Sequence, residues 1–351
     1  MAKKNPSHLV VLAFLVFICS MTLVLSRVVP QELGMVKMHE EWMVKHLRVY
    51  NSLAEKEYRF KIFKDNVERI NAHNQVEGRK YDMSVNKFSD MTFEEVTAKY
   101  TGLVKGPSTA RFRARGPRKS LNNLNTSNDD LPKSVDWRKK GAVTRVKEQQ
   151  CAANWAFAAV GAVEGIHKIK AGELISLLEQ ELIDCDTYNS GCASGWLDSA
   201  YQYIIENKGL NTEEAYPTVY GEEGHQCNKN ASSYAAATIS GFAGVPMNDE
   251  KALQQIVAQQ PVSASITLSS DFILYDGGIF NGDCSSDYED TIHAVTIVGY
   301  DTLDDGTSYW IVKNSWGADW GEEGYIRMVK DVGVFGGLCG LALDAWYPIV
   351  E

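Results

Sequence analysis

Covalent chemistry in this chain could come from few places. His293 stands immediately before an apolar run that reaches Tyr300, Asn314 opens Asn314-Ser315-Trp316-Gly317, and Cys151 and Asn154 stand at the start of a stretch with helical spacing. Acyl transfer through sulfur needs a thiolate, a histidine that takes and returns its proton, a side chain that orients the histidine, and donors for the oxyanion. A thiol at a helix N-terminus ionises more readily, because the dipole and free amides stabilise negative charge. At that point this chain has Asn154, whose carboxamide neither deprotonates near neutral pH nor accepts an acyl group. Asn is, however, among the best helix N-caps, so a capping role is expected for it. A lone histidine before an apolar strand is more often a satisfied core residue than a catalyst. No Cys-x-x-Cys pair or His cluster supplies metal-ligand spacing, and neither metal nor cofactor is expected.

The elements that must hold these residues follow from periodicity. Ala153 to Lys170 carries Trp155, Ala159, Val163, Ile166 and Ile169 at helical spacing, with Ala171-Gly172 as its stop. A second helix is expected from about Trp196 to Ile205. Beyond about Ile239 the pattern changes to short β-branched stretches, 262–266, 293–300 and 309–313, separated by Gly and Asp turns. Upstream, residues 40–74 read as two amphipathic helices; the second carries Glu55, Arg59, Ile62, Phe63, Asn66, Ile70 and Asn74, with Glu55 and Arg59 one turn apart and able to pair. Between about Gly102 and Asp130 periodicity gives way to Gly, Pro, Ser and Asn with Arg111, Arg113, Arg115, Arg118 and Lys119, an exposed linker.

A chain of 351 residues exceeds one compact core, so two or three folded units are expected. Its formal net charge of -10 argues against nucleic acid as a partner. Lys3 and Lys4 precede an apolar run from Leu9 to Leu25, which reads as a secretory signal over 1–26 rather than a retained anchor. Removing it removes Cys19 and leaves an even set of cysteines, which in a secreted chain favours disulfides. Asn125 and Asn230 open glycosylation acceptor triplets.

Four segments resemble papain-like cysteine proteases: Cys151-Ala152-Ala153-Asn154-Trp155-Ala156-Phe157, Ile292-His293-Ala294-Val295, Tyr309 to Gly317 with Trp320-Gly321-Glu322, and the seven helical positions from Glu55 to Asn74. The last set matches that family's inhibitory pro-segment, and Asn86-Lys87-Phe88-Ser89-Asp90 resembles the short strand motif after it. Ser84 departs from the family's glycine. The resemblance implies an α+β, papain-like two-domain fold behind a helical pro-segment. It gives a pro-segment over 38–95, a linker over 96–130, a helical half over 131–240 and a β half over 241–351, with a cleft that the pro-segment covers.

The same resemblance makes His293 the general base, Asn314 its orienter, Trp316 the shield over their hydrogen bond, Gln149 the oxyanion donor and Gly195 a close backbone contact for peptide. It pairs Cys151 with Cys192, Cys185 with Cys227, and Cys284 with Cys339. It puts Asn154 where the family has its nucleophilic cysteine, Glu148-Gln149-Gln150-Cys151 one residue short of the family's segment, and Ile292 where a polar residue is usual. The expected protein is therefore an inactive homologue that binds peptide or protein ligands, its own pro-segment among them, or serves in storage. An active cysteine-type endopeptidase is the alternative, with an unexpected nucleophile or with the segment from Glu148 to Trp155 misreported in this sequence. It is expected to be monomeric, to use the secretory pathway, and to reach the extracellular space or an acidic vacuole or lysosome.

Overall fold

The computed structural model describes residues 32–102, 131–215, 227–228, 235–284 and 292–351. The signal-like stretch 1–26 with Cys19, the basic residues 111–119, Asn125 and Asn230 lie outside the described residues. The chain divides into two units, Met1–Arg69 with Ser89–Met91, and Ile70–Phe88 with Thr92–Glu351.

The first unit is built on α1 (residues 32–45) and α2 (Leu53–Asn74), whose last turn belongs to the second unit. Trp42, Phe63 and Val67 are buried, and the ring of His39 lies 5.0 Å from that of Phe63. The polar positions of the α2 pattern each bind backbone. Glu55 accepts from the Asn51 amide at 2.8 Å, Arg59 donates to the Asp90 carbonyl at 3.1 Å, and Asn66 donates to Ser89 and Met91 carbonyls at 3.0 and 3.2 Å. Their spacing is thus set by irregular backbone that needs partners.

In the second unit, Asn74 exchanges two hydrogen bonds with the backbone of Met83, at 2.7 and 3.0 Å, and so fixes β1 (Tyr81–Met83). Residues 87–90 form a turn, not a strand; the strand of this region is β1. α3 (Phe93–Tyr100) follows, opened by a capping box between Thr92 and Glu95. The chain therefore stays folded past residue 96, where the linker was expected to begin: α3 buries Val96 and Thr97, and Thr101 is buried behind it.

After β2 (Val135–Asp136) come α4 (Asn154–Ala171), α5 (Glu179–Cys185) and α6 (Leu197–Glu206). Next are β3 (Gly241–Gly244), α7 (Glu250–Val257), β4 (Val262–Thr267), α8 (Ser270–Ile273) and β5 (Tyr275–Phe280). The chain ends with β6 (Ile292–Thr302), β7 (Ser308–Lys313), β8 (Tyr325–Val329) and β9 (Asp344–Ile349). The strands run β1-β5-β8-β7-β6-β4-β9-β3, with β2 on β6; all these pairs are antiparallel except β5 with β8. α4 packs across β6, and its glycines permit the approach: a Cβ on Gly165 would lie 2.5 Å from Pro261, and one on Gly161 would lie 2.8 Å from Thr296 Oγ1. α4 ends at Gly172, left-handed at φ 83°, whose N–H bonds Lys168. The helical and β halves share their core, since Ala294 and Trp346 join the helices in one buried cluster. The structure joins Cys151 to Cys192, Cys185 to Cys227, and Cys284 to Cys339, with Cα separations of 5.3, 4.8 and 5.0 Å.

Candidate functional site

Asn154 is the first helical residue of α4, and the N-cap is Ala153, with no side-chain capping bond. The expected capping role is therefore corrected. Once residue 154 is itself helical, its side chain leaves the helix end and bridges two other segments. Oδ1 accepts from the amide of Ala294 at 3.0 Å, and Nδ2 donates to the carbonyl of Tyr100 at 2.9 Å. An acceptor on one side and a donor on the other fix which way the carboxamide points.

Gln149 is held from two directions. Its backbone amide donates to Ser315 at 2.8 Å, and the Ser315 hydroxyl donates to Oε1. Its Nε2 is thereby aimed at two carbonyls, Cys151 at 2.7 Å and Tyr100 at 2.9 Å. Gln149 and Asn154 thus meet on the same oxygen.

β6 carries His293 and the end of β7 carries Asn314. His293 Nε2 lies 2.7 Å from Asn314 Oδ1, which also accepts from the amide of Ser315 at 2.8 Å. An oxygen facing Nε2 assigns a proton to that nitrogen; Nδ1 makes no hydrogen bond of good geometry but lies toward the Tyr100 backbone. The Trp316 ring covers the imidazole at 4.8 Å between centroids. Burial pulls the pKa of His293 down to about 4, against the raising effects of Asn314 and the Tyr100 backbone. His293 is therefore neutral in mildly acidic solution.

The N-terminal segment runs through this site. Phe88 meets Trp316 edge-on at 5.0 Å and Tyr100 at 5.2 Å, while Lys87 donates to the Trp316 carbonyl and to Glu148. Gly102 forms an isolated antiparallel bridge with Ile292, and a Cβ there would lie 3.1 Å from Ser194 Cα. Gly195 has a reason the sequence did not indicate: a Cβ on it would lie 2.4 Å from the Trp155 ring. Tyr100 contributes through its carbonyl, which no side-chain pattern could announce. Behind the site, buried Lys147 binds Glu164 at 3.3 Å and Glu179 at 2.9 Å, and Lys313 donates to Thr144 at 3.0 Å. Burial alone would lower the Lys147 pKa, but the two carboxylates keep it raised.

The arrangement brings together the His293 imidazole, the Asn314 carboxamide and two amides that donate to the Tyr100 carbonyl, with no free thiol among the described residues: Cys151 and the other five cysteines described are disulfide-bonded. Among the described residues no cluster of His, Cys, Asp and Glu could hold a metal ion, and no helix is long and apolar enough to cross a membrane.

Comparison with known proteins agrees with this geometry. Residues 131–349 match the papain family cysteine protease domain, and residues 39–96 match the cathepsin propeptide inhibitor domain. The chain belongs to the papain family of cysteine proteases. It is 45% identical over 353 residues, covering 100% of both chains, to a senescence-specific cysteine protease of Arabidopsis thaliana. Among solved structures it is similar to a recombinant stem bromelain precursor, with a TM-score of 0.81, 42% identity and coverage of 91% of this chain and 99% of that one. The proform of the ragweed pollen allergen cysteine protease Amb a 11 gives 0.81 at 38% identity, covering 91% and 96%.

Proposed function

We propose that this protein is a papain-family precursor without peptidase activity, which binds peptides or protein inhibitors, or serves in storage, on a protease scaffold. The observation that carries the reading is Asn154, whose carboxamide at the start of α4 is bonded to Tyr100 and Ala294 in the position the family resemblance gives to its thiol. A nucleophile's loss lowers turnover by roughly a million-fold. His293 and Asn314 keep their bond, with no free thiol among the described residues to give up a proton. Entry to the secretory pathway, and removal of the pro-segment by another protease cutting near Arg111 to Leu131, belong to the same reading.

The test compares the nicked precursor with its Asn154→Cys variant against a broad peptide library, in reducing buffer at mildly acidic pH. Turnover by the Cys variant alone supports the proposal. Turnover by the parent overturns it in favour of the second reading, an endopeptidase with an unexpected nucleophile, which the intact His293 and Asn314 pair favours. Sequencing the transcript across Glu148 to Trp155 checks the shortened segment directly.

A further inference from the structure

Two side-chain amides converge on one backbone oxygen: Asn154 Nδ2 and Gln149 Nε2 each lie 2.9 Å from the Tyr100 carbonyl. A carbonyl oxygen has two lone pairs, and these two amides offer a donor to each, with the His293 ring also turned toward the Tyr100 backbone. Each amide is locked from its far end, Asn154 by the Ala294 amide and Gln149 by the Ser315 hydroxyl, and both side chains are buried, at 4% and 1% exposure. Two residues on, Gly102 pairs with Ile292, the first residue of β6, and passes Ser194 without a side chain.

We infer that Asn154 and Gln149 form a clasp for the carbonyl oxygen of an intact peptide, with the pro-segment as resident ligand through Tyr100. The inference rests on the non-catalytic reading of Asn154 and names its ligand. A catalytic donor must bind the transition state better than the substrate. Here both donors are already engaged with a trigonal carbonyl, which stabilises the bound peptide and gives nothing to turnover. Asn154 Oδ1 also fills the Ala294 amide, so the same side chain ties the ligand to β6. Any second peptide enters by displacing Tyr100.

The test uses the full chain carrying a specific cleavage sequence between Arg118 and Lys119. After the cut, dissociation of the fluorescently labelled N-terminal fragment is timed in the parent, in Asn154→Asp and in Gln149→Glu. Each carboxylate keeps the oxygen that meets Ala294 or Ser315 and turns the donor at Tyr100 into an acceptor. Release about tenfold faster or more in both variants is expected, and rates within about twofold of the parent overturn the clasp. A second measurement needs no variant: in the isotopically labelled full chain, a scalar coupling across the hydrogen bond from Asn154 Nδ2 to the Tyr100 carbonyl is expected. An Asn154 side-chain amide exchanging at the solvent rate overturns it. Peptide hydrolysis by the parent would sink the non-catalytic reading while leaving the release rates to judge the clasp.

Discussion

At the scale of single residues, the protonation of His293 is set by its surroundings more than by its type. Its folded pKa of about 4 lies below the ordinary value, so the folded state binds its proton later than the unfolded chain as pH falls. Above pH 6.5 the group contributes nothing pH-dependent. Between 6.5 and 4 the unfolded chain gains the proton alone, and stability falls, by about 2.5 kcal/mol at pH 4.5. Urea unfolding of the precursor at pH 7 and pH 4.5 should show that loss, and His293→Gln should lack that part of it. Gly195 gives a second test. The 2.4 Å approach of its missing Cβ to Trp155 predicts that Gly195→Ala costs about 1–3 kcal/mol, read as a lower urea midpoint at unchanged slope. His293 and Asn314 were legible in the sequence because their neighbours are distinctive. The partner of Asn154 was not, because it is a carbonyl oxygen that every residue possesses.

At the scale of elements, the segment carrying Gln149 depends on the buried charges behind it. Lys147 sits between Glu164 and Glu179, and Glu164 also accepts from the amide of Leu177 at 2.9 Å. Lys147→Met leaves two buried carboxylates without their cation and should cost about 3–5 kcal/mol at pH 7. The deficit should narrow as pH falls below 7, because burial, which already raises the pKa of Glu179, favours protonation of that carboxyl. Calorimetric melting at pH 7 and at a lower pH measures both. α4 and its glycine stop were readable from apolar spacing, as were β4, β6 and β7 from β-branched runs. α3 was absorbed into the linker because eight residues carry little periodicity, although Thr92 and Glu95 spelled a capping box. β1 was missed for the same reason: three residues cannot display an alternation, and its partner strand lies nearly two hundred positions away.

At the scale of the whole molecule, three disulfides close loops with sequence separations of 41, 42 and 55 residues. By chain entropy each should contribute roughly 3–4 kcal/mol. Reduction under native conditions should lower the melting temperature, most clearly when all three are opened, as scanning calorimetry with and without reductant would record. One N-terminal strand has a different bearing. β1 pairs Tyr81 with Gly278 and Asp82 with Gly277, and so covers the outer edge of β5. Cutting the pro-segment away bares that row of amides and carbonyls, and Asp276 is the one charge in Tyr275–Phe280. Sheet edges of this kind template the addition of foreign strands. The precursor thus carries its own edge guard, and a protein trimmed of β1 would offer that edge to other strands.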